Sequence, residues 1–129
     1  MAQIKIYGIK EHLNPIKQQL SELIHACVVE VLAFPKEKRF HRFFPMEHED
    51  MLYGVGRSDA YTIIEIMMIE GRTVETKKRL IKILFTQIDA ELQIDSKDIE
   101  VCIQEAPASN WGFRGMTGDE IMLDYKVEI

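Results

Sequence analysis

Residues 3–7 alternate Gln, Ile, Lys, Ile and Tyr, a period of two that predicts a short strand with Ile4 and Ile6 on one face. The period then changes. Ile16, Leu20, Leu23, Ile24, Cys27, Val28, Val31 and Leu32 fall on one stripe of a helix, for which Asn14 offers a capping residue and Pro15 a pre-set first position. Phe34-Pro35 ends it, because the residue before a proline is pushed out of the helical region. A second unit opens at Tyr61, where Tyr-Thr-Ile-Ile-Glu-Ile-Met-Met-Ile is apolar on both faces apart from Glu65, the pattern of a strand covered twice. Gly71-Arg72-Thr73 turns the chain into a second helix with Leu80, Ile83, Leu84, Ile88 and Leu92 in line, and Asp98 to Gln104 is the next strand.

Each half therefore predicts strand, helix, strand. Laid over one another at an offset of 60 residues, the halves match Ile4 with Ile64, Ile6 with Ile66, Leu20 with Leu80, Leu23 with Ile83, Val28 with Ile88 and Leu32 with Leu92, which points to internal duplication. The expected architecture is one α/β (α+β) domain over residues 1–129, with pseudo-repeats 3–44 and 61–104 and a tail 105–129. Right-handed crossovers place both helices on one face of a single mixed sheet and leave the other face uncovered. Ile63, Met67 and Ile69 against Ile64, Ile66 and Met68 leave neither face polar, so the bare face is expected to bury itself in further copies of the chain. Lys36 to Asp59 reads as a long connection, and Ala106 to Gly118 as a loop around Trp111 and Phe113. Ile121, Leu123, Tyr125 and Val127 then alternate as a final strand able to pair with a neighbouring subunit's edge.

Composition narrows the functions open to such a chain. Sixteen basic against twenty-one acidic residues give a net charge of −5, which argues against nucleic acid as a partner. No apolar stretch approaches the roughly 20 residues of a membrane helix and the start lacks a secretory layout, so no membrane partner and a cytoplasmic location are expected. Cys27 and Cys102 stand far apart with no CxxC and read as small core or sheet residues. His41, Glu47, His48, Glu49 and Asp50 lack any metal-ligand spacing and read as a solvated acidic loop, so neither metal nor cofactor is expected. Lys36, Lys38, Arg39, His41 and Arg42 interleave with Phe40, Phe43 and Phe44, and are expected to edge a pocket of a neighbouring subunit. Arg72 lies between a strand end and a helix start, where its guanidinium can grip a carboxylate; the alternative is a pair with Glu75 or another surface acid. Trp111, Phe113 and Arg114 either wall an apolar pocket with a second cation or form a subunit contact, and the two are compatible.

Four strings go further. Ile4-Lys5-Ile6, Arg57-Ser58-Asp59 leading into Ile63-Ile64-Glu65-Ile66, Gly71-Arg72-Thr73 followed by Lys77-Lys78, and Asn110-Trp111-Gly112-Phe113-Arg114-Gly115 resemble the tautomerase superfamily, especially its longer branch similar to malonate semialdehyde decarboxylase. The resemblance implies a duplicated β-α-β fold, usually assembled as a homotrimer, and chemistry by an amino-terminal proline exposed when the initiator methionine is removed. Ala2 stands at that proline's position. Lys38 falls where decarboxylase-like members place an aspartate, Glu70 on one of their two substrate-binding arginines and Arg72 on the other. What the resemblance implies is keto–enol tautomerase or isomerase activity on a small 2-keto or enol carboxylic acid. Ala2 and Arg72 would be catalytic, and Lys38, Arg72, Trp111, Phe113 and Arg114 would bind the substrate. The alternative is a non-catalytic member that uses the same scaffold for small-anion binding or assembly.

Overall fold

The computed structural model describes residues 2–121 and 125–129. Strand β1 (Ala2–Ile9) runs directly into helix α1 (Lys10–Leu32), which leads to β2 (His41–Met46); then β3 (Thr62–Ile69), α2 (Val74–Leu92) and β4 (Ile99–Ala106) repeat the unit. The sheet order is β2-β1-β3-β4, with both outer pairs parallel and the central pair antiparallel. A two-stranded hairpin, β5 (Gly112–Phe113) and β6 (Met116–Thr117), follows.

The repeat is preserved in three dimensions. Ile4 pairs with His41 as Ile64 pairs with Val101, 60 residues further on. Both long helices end on a left-handed residue, Ala33 at φ 51° and Gln93 at φ 53°, whose N–H donates to the carbonyl of Val29 or Asp89. Across the centre Lys5 faces Glu65, its own counterpart in the repeat, so a local two-fold axis passes between them and relates the pairs Ile4–Ile66 and Ile6–Ile64. Those four isoleucines meet Leu20, Ile24, Leu80, Leu84 and Ile88 in one core between the sheet and the two helices. Removal of that apolar surface from water is the main stabilising term.

Helix α1 starts earlier than the sequence predicts. Lys10 opens it and Pro15 lies inside, so Asn14 is not its cap. The bond that Pro15 cannot donate is offset by Leu13, fully buried and packed so tightly on Gly8 that a Cβ there would lie 3.2 Å from the Leu13 Cβ. Helix α2 has a side-chain cap, the Thr73 hydroxyl accepting from the Thr76 N–H at 3.2 Å.

Two expectations about coverage are corrected. The connection 36–59 contains β2, whose Phe43 packs on the core, and residues 47–61 fold over one end of the sheet face turned away from the helices. There Ile9, Met51 and Tyr61 are buried together with Tyr7, Met46, Tyr53 and Ile63. Ile69 is buried as well. What stays open is mixed, with Met67 beside Lys5, Glu65 and Cys102, and with the Tyr7 hydroxyl donating to Glu65 at 2.7 Å. The far face is thus half-covered by the chain itself. The final strand is not formed by the described residues: Leu123 lies outside them, whereas Tyr125 and Val127 fold back on their own chain. Val127 is drawn onto Gly71, where φ is 142° and a Cβ would come within 2.8 Å of the Val127 Cγ1.

Cys27 is buried and Cys102 exposed; burial, then Glu30 and Glu91, push the Cys27 thiol up to about 11. No helix among the described residues is long and apolar enough to cross a membrane. Under β2 the Ser21 hydroxyl and His41 Nδ1 are 2.8 Å apart, and His25 Nε2 donates to the Lys36 carbonyl at 2.7 Å. Burial first, then the neighbouring His25 and Arg39, lower His41 from 6.5 to about 4.

Two outcomes follow. Unfolded His41 takes a proton below 6.5 while the folded side chain refuses it until about 4. Stability therefore falls as pH drops through that window, by up to roughly 3 kcal/mol from this group, and urea midpoints at pH 7 and pH 5 will show a slope that His41→Gln flattens. Leu84→Ala, at a fully buried site of α2, is expected to cost about 2–5 kcal/mol in the same urea assay.

Candidate active site at one end of the sheet

The antiparallel register of β1 on β3 decides which ends of the chain meet. Ala2 stands opposite Met68, and Met68 opposite Glu105 of β4, so the head of β1 and the tails of β3 and β4 share one end of the sheet. Strand β2 enters at that end too, because the Ile4 N–H donates to the Phe40 carbonyl at 3.0 Å. The turn that carries Arg72 leaves β3 there, and Arg72 Nη1 donates to the Ile69 carbonyl at 2.9 Å. Ala2, Lys38 and Arg72 are thereby gathered at one end of one chain.

Arg72 is the unusual group. It stands between exposed neighbours in a turn yet is only 5% exposed. Burial lowers the guanidinium's hold on its proton, opposed by Tyr125, Glu105 and Glu128 nearby. Among the described residues Nε and Nη2 have no hydrogen-bond partner. With Nη1 engaged on a backbone carbonyl, these two atoms form the side-on edge of the guanidinium, the fork that fits both oxygens of a carboxylate. A buried donor pair left unmet costs free energy, which an anion at that edge would recover.

The surroundings are charged and ordered. Lys77 Nζ donates to Glu105 Oε1 at 2.7 Å, and the other Glu105 oxygen is buried with no partner among the described residues. The Lys38 ammonium lies over the Tyr125 ring, 4.9 Å from its centroid, and the Phe34 ring meets that ring edge-on at 4.8 Å. Among the described residues no ion pair joins Arg72 to Glu75, and the acids that favour its charge are Glu105 and Glu128.

Trp111, Phe113 and Arg114 occupy the hairpin that follows β4. The Gly118 N–H donates to the Trp111 carbonyl at 2.7 Å, and the Arg114 guanidinium lies 5.8 Å from the Phe113 ring centroid. Neither ring belongs to either apolar cluster, and no hydrogen bond, ion pair or ring contact among the described residues joins the hairpin to Ala2 or Arg72. Trp111 Nε1 is buried without a partner among the described residues. Sequence reasoning missed Glu105 and Tyr125. Glu105 had a signal, since it follows Ile99, Val101 and Ile103 at every second position and so carries a charge onto the helix-facing side of β4. Tyr125 had none, because its alternation with Val127 mimics a strand.

Residues 38–114 match the family model described as Tautomerase enzyme. The 2-hydroxymuconate tautomerase of Pseudomonas putida is 35% identical over 57 residues, 44% of this chain and 90% of that protein. Among solved structures, FG41 malonate semialdehyde decarboxylase inhibited by 3-bromopropiolate has a TM-score of 0.77 at 26% identity, covering 86% of this chain and 88% of that one. The R7 fused 4-OT wild type, an asymmetric trimer, has a TM-score of 0.80 at 21% identity over 92% and 97% of the two chains, a likeness of fold. With well over half of its length matched by that family and the duplicated β-α-β sheet shared with these structures, the chain belongs to the tautomerase family.

Proposed function

We propose that the chain moves a proton between carbon and oxygen of a small 2-keto or enol carboxylic acid. The observation that carries this is the buried Arg72 with its Nε–Nη2 edge unmet. A carboxylate seated there is oriented by two parallel charged hydrogen bonds and brings the adjacent carbonyl or enol carbon toward the head of β1. In protein that begins at Ala2, the base is the α-amine, whose ordinary pKa of about 7.7–8.0 leaves part of it neutral at physiological pH. The amine removes the proton from the enol oxygen or the α-carbon and returns it to the other atom. Arg72, with Lys38 at the same end of the sheet, stabilises the negative charge that develops between the two steps.

Self-association belongs to the same proposal. The mixed open face of the sheet, together with a hairpin whose Trp111 and Phe113 lie outside both apolar clusters, supplies surface for a second copy. The trimeric fused 4-OT of like fold supports a trimer. In such an assembly Trp111, Phe113 and Arg114 wall a cleft from the neighbouring copy. A second reading, a scaffold that holds a small anion without turning it over, draws on Ala2 in place of a ring amine at the head of β1.

Phenylpyruvate and 2-hydroxymuconate ketonisation, followed by absorbance with protein whose intact mass shows Ala2 as its first residue, tests the proposal. Activity that falls about 100-fold or more in kcat/KM on Arg72→Ala is the expected result, since a bidentate charged pair contributes roughly 3 kcal/mol or more; no ketonisation at all contradicts it. Ala2→Pro separates the two readings: a several-fold gain in kcat shows that the rest of the pocket is competent, and an inert Ala2→Pro protein that still binds the keto acid establishes the scaffold.

A further inference from the structure

Arg72 is covered by the chain's own last residues. Tyr125, Val127 and Ile129 fasten them. Tyr125 is held between the Phe34 ring at 4.8 Å and the Lys38 ammonium at 4.9 Å, with its hydroxyl in hydrogen-bonding reach of the Arg72 guanidinium. Val127 sits in the space left by the missing side chain of Gly71, the residue just before Arg72. The Ile129 carbonyl accepts from the Thr76 hydroxyl at 2.7 Å and the Thr73 hydroxyl at 3.3 Å, at the first turn of α2. The tail thus runs along the turn that carries the arginine and shuts a side chain that its exposed neighbours would otherwise leave in water.

The tail is fastened by side-chain and carbonyl contacts at Tyr125, Val127 and Ile129, and its described residues lie outside every helix and strand. Closing the tail keeps the guanidinium dry, which strengthens any ion pair formed there. The Tyr125 hydroxyl, within reach of the guanidinium, competes with an incoming carboxylate for it.

We propose that Tyr125 is the gating and specificity-determining residue of the Arg72 site: the phenol fills the space beside the guanidinium in the empty chain, swings out to admit a small 2-keto or enol carboxylate, and sets the size of substituent that fits against Phe34 and Lys38. This rests on the carboxylate site proposed above. Two variants, Tyr125→Ala and deletion of residues 125–129, open the strap and change no residue of any helix or strand.

The test is phenylglyoxal labelling of arginines in the full-length protein and both variants, followed by peptide mass spectrometry, with thermal unfolding to show that each variant is folded. Exposed Arg79 on α2 serves as the internal reference. The strap predicts that Arg72 labels at least about tenfold faster in both variants while Arg79 is unchanged. Equal Arg72 labelling in the parent and both folded variants overturns the proposal. Added phenylpyruvate reports separately on the site: if opening the strap speeds labelling but phenylpyruvate gives no protection in any of the three proteins, the gate stands and the carboxylate reading fails.

Discussion

The antiparallel pairing of β1 with β3 is the constraint on which the rest of this protein depends. A β-α-β unit alone buries its helix against two strands and leaves a strand edge open; two such units joined edge to edge in antiparallel fashion complete one sheet and one core. The register of that junction sets Lys5 against Glu65 and mates the four central isoleucines symmetrically. A slip of one residue would turn Ile4, Ile6, Ile64 and Ile66 away from the helices, so the register is held by nearly all of the core energy. The same register puts Ala2 opposite Met68, three residues from the turn that leads to Arg72. Fold and site are consequences of one alignment.

Placing an arginine at that end and burying it is costly, and the structure offsets the cost only in part. One nitrogen is satisfied by the Ile69 carbonyl, and Glu105, Glu128 and Tyr125 supply favourable charge or dipole. Among the described residues the side-on edge has no hydrogen-bond partner. A purely structural arginine would spend both of its edges on protein acceptors, and Glu105, which has an unmet oxygen of its own, instead takes Lys77. A buried cation whose side-on edge is unpaired among the described residues, at the converging ends of three strands, is the observation on which the proposed ligand site rests.

Much of this was legible in the chain. Period-two and period-3.6 patterns located all the long elements except β2, and the offset of 60 residues anticipated the pairing of elements because an internal repeat copies both helix stripe and strand alternation. The strand, helix, strand order of each half calls for β2, but its residues were not picked out because His41, Arg42 and Pro45 break the apolar run: an edge strand tolerates proline and charge that a central strand does not. The start of α1 was misplaced because Asn14-Pro15 imitates a helix entry, whereas the burial of Leu13 on Gly8 carries the helix back to Lys10. Arg72 was identified from its place between strand and helix, but its burial was not, since the cover comes from residues more than fifty positions away that read as a strand. Contacts of that range leave no local periodicity.

What the side-on edge of Arg72 holds decides the role of this end of the sheet. A crystal structure of the protein grown with a small 2-keto acid tests this directly. The account predicts the carboxylate oxygens at about 2.7–2.9 Å from Nε and Nη2, with the keto carbon turned toward Ala2 and the Tyr125 ring displaced. A keto acid bound elsewhere, with Arg72 still shut beneath Tyr125, would contradict it.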